Sequence, residues 1–113
     1  MDSVAAIDAL SALAQPTRLA VFRLLVRTGL EGAPAGAIAR EIGTPANTMS
    51  AHLTILENAG LIRARRAGRT IFYALEPEGL RALFAFLAAD CCGGRADLCA
   101  PLMEAAACCE PVT

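Results

Sequence analysis

The feature that most restricts the fold of this chain is the tripeptide Gly43-Thr44-Pro45, set between two short runs of helical period. Upstream, Pro34 stands where a helix can open, and Ile38 and Ile42 lie four residues apart on one face. Downstream, Met49, Leu53 and Leu56 repeat at helical spacing as far as Gly60, which is placed for a left-handed cap. Gly43 ends the first run. Thr44 is expected to cap the second, with Pro45 in its first turn, where a missing N–H costs nothing. Two short helices joined by a glycine-containing turn make a helix-turn-helix.

The flanking sequence extends this unit. Val4, Ile7, Leu10 and Leu13 recur at three-residue steps, predicting an amphipathic helix near the N-terminus. Pro16 opens a second helix to about Thr28, with Leu19, Phe22, Leu25 and Val26 as its apolar stripe and Arg18, Arg23 and Arg27 mostly outside it. After Gly60, Leu61–Arg66 and Thr70–Leu75 flank Ala67-Gly68-Arg69 as a β-hairpin, with Ile71, Tyr73 and Leu75 on one side. Pro77 starts a fifth helix with Leu80, Leu83, Phe84 and Leu87 inward, and Gly93-Gly94 is expected to break it. The expected class is mostly α with a small β-hairpin: four helices, two strands and a fifth helix, in a winged helix-turn-helix arrangement. Residues 1–90 are expected to form one DNA-binding domain, and residues 91–113 a cysteine-rich tail.

Net charge is −1, which by itself argues against nucleic acid, but the distribution argues for it. All ten basic residues are arginine; Arg63, Arg65, Arg66 and Arg69 fall on or beside the hairpin turn, and no acid occurs from Ala59 to Leu75. Phosphate contacts respond to such a local patch rather than to the overall balance. The helix after Gly43 would enter the major groove with its early residues at base edges. Asn47, Thr48, Ser50 and Thr54 are polar there: Asn suits adenine, and Ser and Thr accept or donate. Arg65, Arg66 and Arg69 would reach phosphates or a minor groove from the wing. No Ser/His/Asp or Cys/His arrangement and no phosphate loop is visible, so an enzyme is not expected. No apolar run approaches the ~18–20 residues of a membrane span, and Met1-Asp2-Ser3 lacks the basic start of a signal peptide. The expected location is the cytoplasm.

Three segments together resemble the ArsR/SmtB family of metal-responsive repressors. Leu13-Ala14-Gln15-Pro16-Thr17-Arg18-Leu19 is similar to the start of the family's second helix. Ser50-Ala51-His52-Leu53-Thr54-Ile55-Leu56-Glu57-Asn58-Ala59-Gly60-Leu61-Ile62 resembles its recognition helix, and Arg66-Ala67-Gly68-Arg69 followed by Tyr73-Ala74-Leu75 its wing. The resemblance covers about Asp2 to Ala89. It implies a homodimer built on the first and last helices, with Val4, Ile7, Leu10, Leu83 and Leu87 as candidate interface residues, and a double-stranded operator of two-fold symmetry. The family's Ser-x-His-Leu pattern implies that His52, the only histidine, packs or contacts DNA rather than binding metal.

Cys91, Cys92, Cys99, Cys108 and Cys109 all lie in the last 23 residues. In a reducing compartment, clustered cysteines suit metal binding or redox sensing better than disulfides. The family's other sensing positions, on the second to fifth helices, lack the needed cysteines or histidines here. Gly93-Gly94 would let Cys99 fold back toward Cys91 and Cys92, bringing three thiolates to one ion. Three sulfurs satisfy arsenite or antimonite, which are thiophilic and trigonal, whereas zinc normally takes four ligands and hard ions avoid sulfur. Some family members resemble this segment, with Cys-Cys-Gly-Gly and a third cysteine binding arsenite, which implies that role for Cys91, Cys92 and Cys99. The alternatives are a soft divalent ion (cadmium, zinc or lead) that also recruits Cys108 or Cys109, and a thiol redox switch.

Overall fold

The computed structural model describes residues 1–92, with side-chain surroundings for residues 1–88. Its elements are α1 (Ser3–Leu13), α2 (Pro16–Thr28), β1 (Ala33–Pro34), α3 (Ala35–Ile42), α4 (Ala46–Asn58), β2 (Ile62–Ala67), β3 (Thr70–Leu75) and α5 (Pro77–Cys92). Side-chain caps start the first two helices. The Asp2 carboxylate accepts from the Ala5 N–H at 2.8 Å, and Gln15 Oε1 accepts from the Arg18 N–H at 2.7 Å, with Pro16 in the first turn.

The α3–α4 turn departs from expectation by one residue. Pro45, not Thr44, occupies the cap position of α4, and no side chain caps it. Thr44 is engaged elsewhere: its N–H donates to the Ala39 carbonyl at 3.0 Å and closes α3, where Gly43 is left-handed (φ 82°). At its far end α4 stops in a Schellman motif. Gly60 (φ 79°) donates to the Glu57 carbonyl, and Leu61 to that of Leu56. The first turn of α5 then lies against this cap, so closely that a Cβ on Gly79 would meet the Gly60 carbonyl oxygen.

β2 and β3 form the expected hairpin, paired from Ile62↔Leu75 to Ala67↔Thr70. The loop is two residues, Gly68-Arg69, and only Gly68 has positive φ (64°), as a type II′ turn requires. A third strand was not expected: β1 pairs with β3 at Ala33↔Tyr73 and Pro34↔Phe72, giving the antiparallel order β1-β3-β2. Proline is tolerated there because β1 is an edge. Gly32 is required beside it, since a Cβ would lie 2.3 Å from the Tyr73 carbonyl oxygen.

The core joins α1, α2, α3, α4, the root of the hairpin and α5 through Val21, Leu25, Ile38, Met49, Leu53, Leu56, Leu61, Ile62 and Leu83. Two expected faces, those of α2 and α5, are corrected. On α1 the buried residues are Ala6, Ala9 and Ala12, while Val4, Ile7 and Leu10 are exposed. The alanines allow α1 to approach closely, which leaves the larger side chains on the outer face. On α2 the buried pair is Val21 and Leu25; Leu19 and Val26 point outward, and Arg18 is half-buried. On α5 Leu83 is only 2% exposed and Leu87 is partly buried on the core, but Phe84 is 64% exposed. Leu83 is therefore committed to the core of a single chain and cannot offer appreciable area to a second copy. Among the described residues no single helix is long and apolar enough to cross a membrane.

Candidate nucleic-acid interface

Two faces divide α4. Met49, Leu53 and Leu56 are fully buried, which fixes the helix rotationally against α2, α3 and the hairpin root. The opposite face is exposed and carries Asn47, Thr48, Ser50 and Thr54, the four residues expected at base edges. Asn47 Oδ1 accepts from the Thr48 N–H at 3.0 Å, and the Thr54 hydroxyl donates to the Ser50 carbonyl at 3.0 Å. Among the described residues the Asn47 amide nitrogen and the Ser50 hydroxyl have no partner. His52 differs from these four. It is half-buried, and its Nδ1 lies 3.4 Å from Arg18 Nη1 on α2.

The hairpin arginines also divide. Arg65 stacks over the Phe72 ring, 5.0 Å from its centroid, and donates to the Glu31 carbonyl at 3.2 Å. Arg63 lies 3.7 Å from the Glu76 carboxylate. Both belong to the sheet face shared with Phe72. Arg66 sits opposite Ile71 on the other face, and Arg69 is in the turn. Both are exposed, and among the described residues neither side chain has an ion pair or hydrogen bond. The sequence grouped Arg65 with Arg66 and Arg69; the structure engages Arg65 within the fold and leaves the other two presented at the tip. The signal for that difference was Phe72 directly across the strand pair from Arg65.

The other expected sites lie apart. Val4, Ile7 and Leu10 form an exposed stripe on α1, and on α5 Phe84, expected to face inward, is exposed as well. Cys91 and Cys92 are the last two residues of α5. Cys99, Cys108 and Cys109 lie outside the described residues. Among the described residues no group of three or more His, Cys, Asp or Glu side chains is placed to hold a metal ion.

A helix-turn-helix followed by an antiparallel wing defines a winged-helix protein. Residues 13–65 match the Helix-turn-helix domain family. The HTH-type transcriptional regulator KmtR of Mycobacterium tuberculosis is 50% identical over 46 residues, which are 41% of this chain and 35% of that protein. The match to this relative therefore spans about a third of its length. The HTH-type transcriptional regulator YgaV of Escherichia coli K12 is 33% identical over 78 residues, 69% of this chain and 77% of its own. Among solved structures, a possible transcriptional regulator for arsenical resistance superposes with a TM-score of 0.64 at 33% identity, covering 73% of this chain and 82% of the other. The homodimeric winged helix-turn-helix domain of a possible ArsR-family regulator from Mycobacterium bovis gives 0.63 at 34%, covering 74% of each. The chain belongs to the family of winged-helix, helix-turn-helix transcriptional regulators related to the ArsR/SmtB type. These relatives are regulators of transcription, not enzymes.

Proposed function

We propose that this protein is a cytoplasmic, homodimeric transcriptional repressor that occupies operator DNA and leaves it when trivalent arsenic or antimony binds cysteines at the end of α5. The observation that carries the DNA reading is the division of α4: three fully buried apolar residues hold it in place, and its exposed face presents Asn47, Thr48, Ser50 and Thr54 around the small Ala51. The presented Arg66 and Arg69 supply the backbone contacts that position such a helix without reading sequence. The homodimer is supported by the exposed Val4, Ile7 and Leu10 stripe, by Phe84 exposed on α5 where Leu83 is buried, and by the homodimeric relative.

The effector reading rests on the donor set. Cys91, Cys92 and Cys99 are soft ligands in the number that a trigonal, thiophilic ion takes, and one structural relative is a possible regulator for arsenical resistance. Cys91 and Cys92 end a helix that packs against α1, so a ligand drawing Cys99 toward them acts on the same pair of helices that carries the proposed dimer stripe. Coupling of that kind typically changes DNA affinity by about 5–150-fold.

The test is anaerobic titration of arsenite into the reduced protein bound to a fluorescent duplex from upstream of its own gene, with cadmium and zinc in parallel. Release by arsenite, lost in Cys92→Ser while DNA binding is retained, is the expected result. Release by cadmium or zinc alone would replace the three-thiolate site with a four-ligand one that includes Cys108 or Cys109. No binding to the duplex under any condition would remove the repressor reading itself.

A further inference from the structure

We propose that Arg18 is a positioning residue for the recognition helix, a single guanidinium that ties α4 to the carbonyl end of α1. This inference rests on the DNA-binding reading above. Arg18 sits in the first turn of α2, half-buried, and uses three groups on three partners. Its backbone N–H donates to Gln15 Oε1 at 2.7 Å, which fixes the start of α2. Its Nε donates to the Ala12 carbonyl at 2.7 Å, one of the last-turn carbonyls of α1 that no helical N–H reaches. Its Nη1 faces His52 Nδ1 at 3.4 Å, in the middle of α4. The same side chain lines the groove between α1 and α4, with Asp8 on one bank and Ile55 and Asn58 on the other. The helix with the outward apolar stripe and the helix with the outward polar face are thus joined by one rigid, planar group.

The chemistry of the pair fixes the role of His52. Arginine has donors only, so Nδ1 must be the acceptor and the ring proton belongs on Nε2. His52 is then an anchor point on the inner flank of α4, not a fifth member of its exposed polar row. Lysine at position 18 keeps the charge but not the fork, and cannot reach both partners in one geometry. Asparagine at position 52 offers an oxygen near the position of Nδ1; leucine offers none.

The experiment is a double-mutant cycle on duplex affinity with Arg18→Lys, His52→Leu and the pair, together with His52→Asn. Each variant is checked for an unchanged circular-dichroism spectrum and a cooperative melt. Each single change is expected to weaken binding to the upstream duplex roughly tenfold, because each removes a charge-assisted hydrogen bond. The double variant should be within about twofold of either single one, since both remove the same link. His52→Asn should recover affinity to within about threefold of wild type, which lost packing alone would not allow. Independent effects that multiply in the double variant would overturn the coupling. Loss with His52→Asn equal to that with His52→Leu would overturn it in favour of direct DNA contact by the ring. If the unaltered protein fails to bind the duplex, the repressor reading falls and this inference with it; if it binds and the cycle is additive, only the inference falls.

Discussion

Helices α1 and α4 are both amphipathic, and they are built in opposite senses. In α4 the large apolar side chains Met49, Leu53 and Leu56 face the core, and the outer face is small and mainly polar, with Ile55 its one large apolar member. In α1 the alanines face the core, and Val4, Ile7 and Leu10 are 68%, 61% and 43% exposed. A periodic apolar stripe therefore means different things in the two helices. On α4 it fixes the helix so that its other face can be presented. On α1 it is itself the presented face, and the alanines opposite bring the helix close to its neighbours. An apolar surface of that kind suits a protein contact, whereas the polar face of α4 and the presented arginines of the wing suit nucleic acid.

Substitutions on the two helices should separate these roles, and the largest effect is expected inside α4. Leu53→Ala removes a fully buried side chain and should lower unfolding free energy by about 3 kcal/mol in chemical denaturation. Ala9→Leu on the inner face of α1 should cost about 2 kcal/mol, because the close approach leaves no room for the added atoms. An equal or greater stability for Ala9→Leu would mean that α1 does not pack tightly through its alanines. Ile7→Ser, on the outer face of the same helix, should change the stability of the single-chain fold by less than about 0.5 kcal/mol. Its effect should appear instead in sedimentation, as a shift from dimer toward monomer. A variant that destabilised the chain as much as Leu53→Ala, with no change in assembly, would contradict the distinction.

The punctuation of the fold was legible in the sequence. Gly43, Gly60, Pro16 and Pro77 end or start helices as expected, and the Gly68 turn follows from one glycine between two β-prone runs. The four polar residues of α4 were legible for the same reason: a strong inner stripe fixes the outer face. Periodicity alone does not choose where two stripes compete. On α1 an alanine row and a large-residue row each repeat helically, and only the approach distance of the neighbours decides which is buried. On α5, Leu83 and Phe84 are adjacent, and the choice between them depends on where α5 meets the Gly60 cap through Gly79. β1 has two residues and no period to read; its pairing depends on Gly32 passing beneath the Tyr73 carbonyl. The role of Arg18 depends on His52 and that of Arg65 in part on Glu31, each far along the chain and announced by no local pattern; Phe72, across the hairpin from Arg65, is the nearer signal.

The central claim is that the presented face of α4 and the tip of the wing meet DNA. The most direct test is the salt dependence of affinity for the upstream duplex, compared between the wild type and Arg66→Ala/Arg69→Ala. Each lost phosphate contact should reduce the log–log slope by about one, so the double variant should be flatter by about two while the fold is unchanged. An unchanged slope, with affinity equal to that of the wild type, would show that the wing tip does not touch the backbone and would contradict the account.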